Sequence, residues 1–251
     1  MARLRAAGCV AAEEEAEELS AAAPDAAALE SLVRRREHGE PLAWITGAVL
    51  FCGRPVAVDR GVYVPRVQSE ELARRAGRLL ARSARRWAVD LCTGAGAVAA
   101  HLLATVPGAR VVGVDLDMAA TRCARRNGVP TVRADLAAPF AAATFDVVTA
   151  VAPYVPTTEI RLLPADVRDH EPRRALDGGP DGLAVVRRVV DAATRLLGPT
   201  GSLLLEIGGR QDDVLIPELA AAGYTAVTTW RDEDGDLRGV CASAPGRNQS
   251  A

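Results

Sequence analysis

Three features of the sequence predict an α/β fold built on a mostly parallel sheet. From residue 68 onward, amphipathic stretches alternate with short apolar runs bounded by turn residues, the pattern of strands joined by helical crossovers. Five of these runs, near 87–91, 110–115, 130–133, 145–150 and 201–207, are of strand length, and their regular alternation with helices places helices on both faces of the sheet. A Gly-rich turn, Cys92-Thr93-Gly94-Ala95-Gly96, follows the first run and opens a helix. That is where a doubly wound sheet receives a nucleotide-like ligand.

Before the sheet, residues 10–38 hold two helix-forming stretches split by Pro24 and Asp25. Asp25 is the expected cap of the second, which ends near Gly39. Together they define a small helical appendage over residues 1–48. Val49–Asp59 alternates around Gly53-Arg54 and predicts a hairpin, placed in a linking segment over 49–66. The main domain is expected over 67–244. At its end, Thr225–Trp230 and Arg238–Ala242 flank the acidic turn Asp232-Glu233-Asp234-Gly235-Asp236, predicting a closing antiparallel pair. Residues 245–251 are expected to be a disordered tail.

Composition narrows the function. All 30 basic side chains are arginine, balanced by 32 acidic ones to a net charge of -2, so no global field favours nucleic acid. The arginine pairs are spread along the chain, as on solvated helix faces. The five cysteines are widely spaced with no C-x-x-C pair, which argues against a disulfide framework or a zinc site. His38, His101 and His170 are too scattered for a metal cluster. Without a run of 18 apolar residues, and with Glu13, Glu14 and Glu15 near the start, no membrane span or signal peptide is expected. The reading is of a soluble, cytoplasmic protein.

The chemistry concentrates at the ends of the predicted strands. Ala88-Val89-Asp90-Leu91 leads into the glycine turn, where Gly94 and Gly96 let the backbone approach a ligand and the helix start offers free N–H groups. Nineteen residues after Gly96, the next strand ends in Asp115, a carboxylate suited to two ribose hydroxyls. Two features select S-adenosylmethionine over NAD. Asp90 suits a cationic amino group but would repel a pyrophosphate, and Ala99 stands where a dinucleotide fingerprint has its third glycine. After the third strand, Asp135 is offered either to the adenine amino group or as a turn residue.

These motifs, in this order, resemble the HemK/PrmC-type protein-glutamine N5-methyltransferases that modify peptide-chain release factors. Gly39-Glu40-Pro41-Leu42-Ala43-Trp44-Ile45-Thr46-Gly47 is similar to the family's G-E-P-L-x-Y-I-x-G stretch. Val64-Pro65-Arg66 with Glu70 is similar to I-P-R-x-x-T-E. Beyond the loop and Asp115 come Phe145–Val148, Asp166–Pro172, Ala175–Gly179, Asp181–Leu183 and Leu203–Gly208. The resemblance implies a Rossmann-like class I methyltransferase fold with a seven-stranded sheet whose final pair is antiparallel. The expected cofactor set is Asp90, Leu91, Cys92, Thr93, Gly94, Gly96, Asp115, Leu116, Asp135, Leu136 and Val151. Cys92 replaces the family's first loop glycine, a change tolerated where the backbone φ is negative.

The fourth strand departs from the family. Its N-P-P-Y motif, which grips the glutamine amide, is Val151-Ala152-Pro153-Tyr154 here. An amide nitrogen is a poor nucleophile and needs acceptors for its N–H groups to aim it at the sulfonium methyl. Val151 offers none through its side chain, a loss of about 1–3 kcal/mol in a desolvated site. Val151, Ala152, Pro153 and Tyr154 are the expected acceptor side, Tyr154 either as a stacking wall or as core. His170 is offered either as a general base or as a packing residue. Three functions stay open: methylation of a release-factor-like protein glutamine, alkylation of a small molecule by methyl transfer or ring closure, and cofactor binding without catalysis.

Overall fold

The computed structural model describes residues 1–246, so of the expected tail, residues 247–251 lie outside the described residues. The chain begins with helices α1 (Ala2–Ala6), α2 (Ala12–Ala22), α3 (Ala26–Glu37) and α4 (Leu42–Thr46). Asp25 caps α3 as expected: its carboxylate accepts the Ala28 N–H at 2.8 Å, satisfying one of the helix's free donors. Helix α1 has too few residues to show a periodicity, yet its Leu4 is buried in one apolar cluster with Leu19 and Ile45.

Strands β1 (Ala48–Phe51) and β2 (Arg54–Ala57) form the predicted hairpin, Val49 opposite Val56. Its turn residues Cys52 and Gly53 both have positive φ, the two-residue geometry that matches strand twist. There follow α5 (Glu70–Arg82), β3 (Trp87–Leu91), α6 (Ala97–Thr105), β4 (Arg110–Asp115), α7 (Met118–Arg126), β5 (Thr131–Arg133), β6 (Phe145–Ala150), α8 (Ala165–His170), α9 (Ala184–Leu196), β7 (Leu197–Glu206), α10 (Asp212–Ala221), β8 (Thr225–Arg231) and β9 (Leu237–Ser243).

The large sheet has seven strands in the order β5-β4-β3-β6-β7-β9-β8. Strands β5 to β7 are parallel; β9 runs antiparallel to β7, and β8 antiparallel to β9. Successive residues serve opposite faces. Ala88, Val147 and Leu204 pack with Leu80 of α5 and Leu102 of α6, whereas Val89, Val148, Leu203 and Leu205 pack with Val189 of α9 and Leu219 of α10. Both faces are apolar because both are covered by helices. Strand β7 starts at Leu197, four residues earlier than the apolar run predicts. Its register jumps between Phe145↔Leu197 and Val147↔Ser202, and the intervening Gly198, Pro199 and Gly201 disguise the strand.

The order of the sheet reverses between β3 and β6, and ligands bind at the carboxyl ends of strands flanking such a point. The pieces around that point are tied together by polar side chains. Asn127, at the end of α7, donates to the carbonyls of Ala57 and Ala95 and accepts the Ala57 N–H, each at 2.8 Å, joining hairpin to glycine turn. Trp44 Nε1 donates to the Val62 carbonyl at 2.9 Å. Arg36 donates to both Glu15 oxygens at 2.6 and 3.0 Å and lies 3.3 Å from Asp166 of α8.

Candidate active site

Asp90, one residue before the end of β3, is 2 % exposed. Its two oxygens accept from the hydroxyls of Thr93 at 2.6 Å and Thr149 at 2.7 Å. Burial pushes its carboxyl up to about 6, against the pull of these two hydroxyls. Leu91 is fully buried in the sheet core, so its side chain takes no part in the cavity. Cys92 corrects an expectation: its φ is +56°, in the left-handed region that disfavours a side chain. The residue is held there by the turn, and burial raises its thiol pKa. A Cβ added at Gly94 would meet open space, whereas one at Gly96 would come within 2.8 Å of the Ala124 Cβ. Gly94 thus borders open space beside the turn and Gly96 serves the packing of α6 on α7.

Asp115 ends β4 with Oδ2 accepting the Gly94 N–H at 2.9 Å and Oδ1 accepting the Asp117 N–H at 2.8 Å. Burial raises its pKa, and these backbone donors oppose the rise. A carboxylate oxygen has two acceptor directions, so each keeps one free of these backbone donors. Asp115, Leu116, Asp135, Leu136, Cys92 and Gly94 border a cavity of about 190 Å³. Asp135 is half exposed and paired with Arg188 at 2.8 Å. A smaller chamber of about 40 Å³, reached by Asp90 and Thr93, adjoins the turn.

On the far side lies a cavity of about 710 Å³ between the sheet and the N-terminal helices, bordered by Ala152, Tyr154, Arg36 and Cys9 among others. Val151, immediately after β6, borders all three spaces, and so does Tyr63. Pro153 faces the 190 Å³ cavity. Tyr154 donates its hydroxyl to Glu206 Oε1 at 3.0 Å; burial raises the pKa of both phenols, Tyr63 and Tyr154, so they stay protonated. His170 is not brought to these residues. Its Nε2 lies 3.2 Å from the His38 carbonyl oxygen, in a separate surface recess with Glu40 and Arg60.

Two residues at this junction escaped the sequence reading. Tyr63 sits one residue before the Val64-Pro65-Arg66 motif, its ring 5.1 Å from the Arg66 guanidinium, which is itself paired with buried Glu171. Glu206 ends β7 and is 1 % exposed. An acid closing an apolar strand was the signal that singled out Asp115, and Glu206 repeats it.

The carboxylates of Asp90, Asp115 and Asp135 fit a ligand presenting ammonium, hydroxyl and amino donors, as S-adenosylmethionine does, and they fit a pyrophosphate poorly. Among the described residues, no group of three or more His, Cys, Asp or Glu side chains could hold a metal ion. Among them too, no helix is long and apolar enough to cross a membrane.

Comparisons with known proteins place the chain in a family. A family model described as a methyltransferase domain matches residues 88–170. The release factor glutamine methyltransferase of Geobacter sulfurreducens is 35% identical over 83% of this chain and 75% of its own. A 4-amino-L-phenylalanine/4-methylamino-L-phenylalanine methyltransferase of Streptomyces pristinaespiralis is 40% identical over 71% of this chain and 65% of its own. In fold, the chain is similar to a ribosomal protein L11 methylase from Lactobacillus delbrueckii, with a TM-score of 0.55 at 16% identity, covering 76% of this chain and 85% of that one. The chain belongs to the release factor glutamine methyltransferase family and is a methyltransferase of the S-adenosylmethionine-dependent, Rossmann-like class.

Proposed function

We propose that the protein binds S-adenosylmethionine in the 190 Å³ cavity and directs its methyl group to a small molecule held in the 710 Å³ cavity. The observation that carries this reading is Val151. It borders both spaces at the position where the resemblance places the asparagine of the N-P-P-Y motif, and it presents only methyl groups there. When bound, the cofactor supplies an electrophilic methyl on a sulfonium. In this reading Asp115 holds the ribose hydroxyls, and Asp90 and the 92–96 turn hold the amino acid end. Leu116 and Leu136 flank the adenine, with Asp135 near its amino group. Val151, Ala152, Pro153 and Tyr154 shape the acceptor side.

The relative from Streptomyces pristinaespiralis, named for a small amino acid substrate, supports this substrate class. A protein glutamine substrate is the second reading, favoured by the identity to release factor methyltransferases over three quarters of their length. Five free cysteines suit work in a reducing cytoplasm. The test is a screen with cofactor labelled in its methyl group, in which the native protein meets release factor, its Gln→Ala variant and a small-molecule set. Label confined to the release-factor glutamine would end the small-molecule reading.

A further inference from the structure

Glu206 is a buried carboxylate with one of its two oxygens unpartnered among the described residues. Oε1 accepts from Tyr154, but Oε2 has no hydrogen-bond partner among the described residues. The Ser69 hydroxyl lies close enough to favour the charged form without making a bond of good geometry. A buried acceptor left in this state is destabilising, and such groups in a native fold call for a partner.

Its position says where that partner sits. Strands β6 and β7 are parallel and pair Ala150 with Leu205, so Val151 and Glu206 are the next residues on neighbouring strands. Both border the 710 Å³ cavity. Glu206 therefore holds, on the adjoining strand, an acceptor beside a Val151 side chain that offers none.

The rest of the cavity restricts what can meet it. Arg36, Arg66 and Arg238 border the same space together with Glu15 and Asp166, and each arginine is held in an ion pair, so the lining sets no preference of charge. A protonated alkyl ammonium is disfavoured because it has no lone pair with which to attack. Tyr63, Tyr154, Val151 and Leu176 supply flat and apolar wall, which suits an aromatic ring. An aryl amine meets all of these conditions: it is neutral near pH 7, keeps a nucleophilic lone pair, and carries N–H donors on a ring.

Resting on the small-molecule reading above, we infer that the acceptor is an aromatic amine and that Glu206 Oε2 is the group that receives its N–H. The nitrogen lone pair forms the bond to the methyl carbon, the carbon–sulfur pair returns to sulfur to leave S-adenosylhomocysteine, and the proton displaced from nitrogen passes to Oε2 and then to water. Burial raises the Glu206 pKa, which makes its carboxylate a better acceptor for that proton than an exposed one.

The experiment compares 4-aminophenylalanine, 4-(aminomethyl)phenylalanine and 4-methylphenylalanine, by calorimetry on the protein saturated with S-adenosylhomocysteine and by labelled methyl transfer. Tyrosine is added as an oxygen acceptor, and release factor as the protein one. The native protein should bind the aryl amine at least about tenfold tighter than its methyl counterpart and methylate it on nitrogen. In Glu206→Gln the preference should fall below about threefold, with S-adenosylhomocysteine affinity and melting temperature retained as evidence of folding. If Glu206→Gln does not fold, Glu206→Asp, which shortens the reach by one carbon, should reduce the same ratio. An amine preference that survives both substitutions overturns the role of Glu206. Methylation of tyrosine or of the alkyl amine in preference to the aryl amine overturns the substrate class while leaving the small-molecule reading intact. Labelling of release factor alone overturns both.

Discussion

Thr149 on β6 stands in register with Asp90 on β3 and donates its hydroxyl to the Asp90 carboxylate across 2.7 Å. The carboxylate is thereby held between two strands, under a burial that raises its pKa to about 6. An acid whose folded pKa lies above its unfolded value binds more protons in the native state between the two. Stability therefore falls as pH rises from about 4 to 6, by up to about 3 kcal/mol. Asp90→Asn should raise the melting temperature at pH 7 and have little effect at pH 4. A variant less stable than native at pH 7 would show that the two hydroxyls outweigh the burial.

Asp115 leaves one acceptor direction free on each oxygen after binding the N–H groups of Gly94 and Asp117. Asp115→Ala should weaken S-adenosylmethionine binding by about 1–3 kcal/mol, read by titration calorimetry. Unchanged affinity would move the ribose elsewhere.

At Val151 the expected outcome is a gain. The native protein should label the release-factor glutamine poorly, and Val151→Asn should raise single-turnover labelling by roughly tenfold to a hundredfold, the effect of one restored hydrogen bond. Efficient labelling by the native protein would show that asparagine is dispensable here.

Arg36 is 9 % exposed and paired bidentately with Glu15. Removing one partner of a buried pair strands the other, so Arg36→Ala should cost about 3–5 kcal/mol in denaturant unfolding. Adding Glu15→Gln should recover part of that cost, as a double-mutant cycle would measure.

The left-handed backbone at Cys92 makes β-branching costly there. Cys92→Val should destabilise by at least about 2 kcal/mol, and Cys92→Gly by less than about 1 kcal/mol, because glycine relieves the strain while losing the thiol's packing. Equal effects in urea unfolding would refute the strain argument.

Most of the sheet was legible because its strands are short apolar runs bounded by turn residues, with Asp115 and Glu206 closing β4 and β7. What escaped depended on contacts between distant segments. Helix α1 owes its place to the single buried Leu4, too little for a periodic signal. The early start of β7 is hidden by Gly198, Pro199 and Gly201, which bulge against β6. The places of Asp90, Asp115 and Asp135 at or beside strand ends were legible in the sequence, but the partner of Asp135, Arg188, is 53 residues away. Tyr63 was missed because nothing local distinguishes it; it matters through its place where three cavities meet. His170 drew notice for its intrinsic chemistry, and only the fold turns it toward the His38 carbonyl.

Asn127 spends its amide on the carbonyls of Ala57 and Ala95 and on the Ala57 N–H. That side chain works as a gauge. The hairpin leads directly into the segment carrying Tyr63, and the turn at Ala95 carries Gly94, so two walls of the 190 Å³ cavity are set apart by the span of one amide. Aspartate has no N–H to give and glutamine is one carbon longer. Either would rescale that spacing while leaving Tyr63 and Gly94 themselves unchanged, and positioned transfer chemistry is sensitive to displacements of about an ångström.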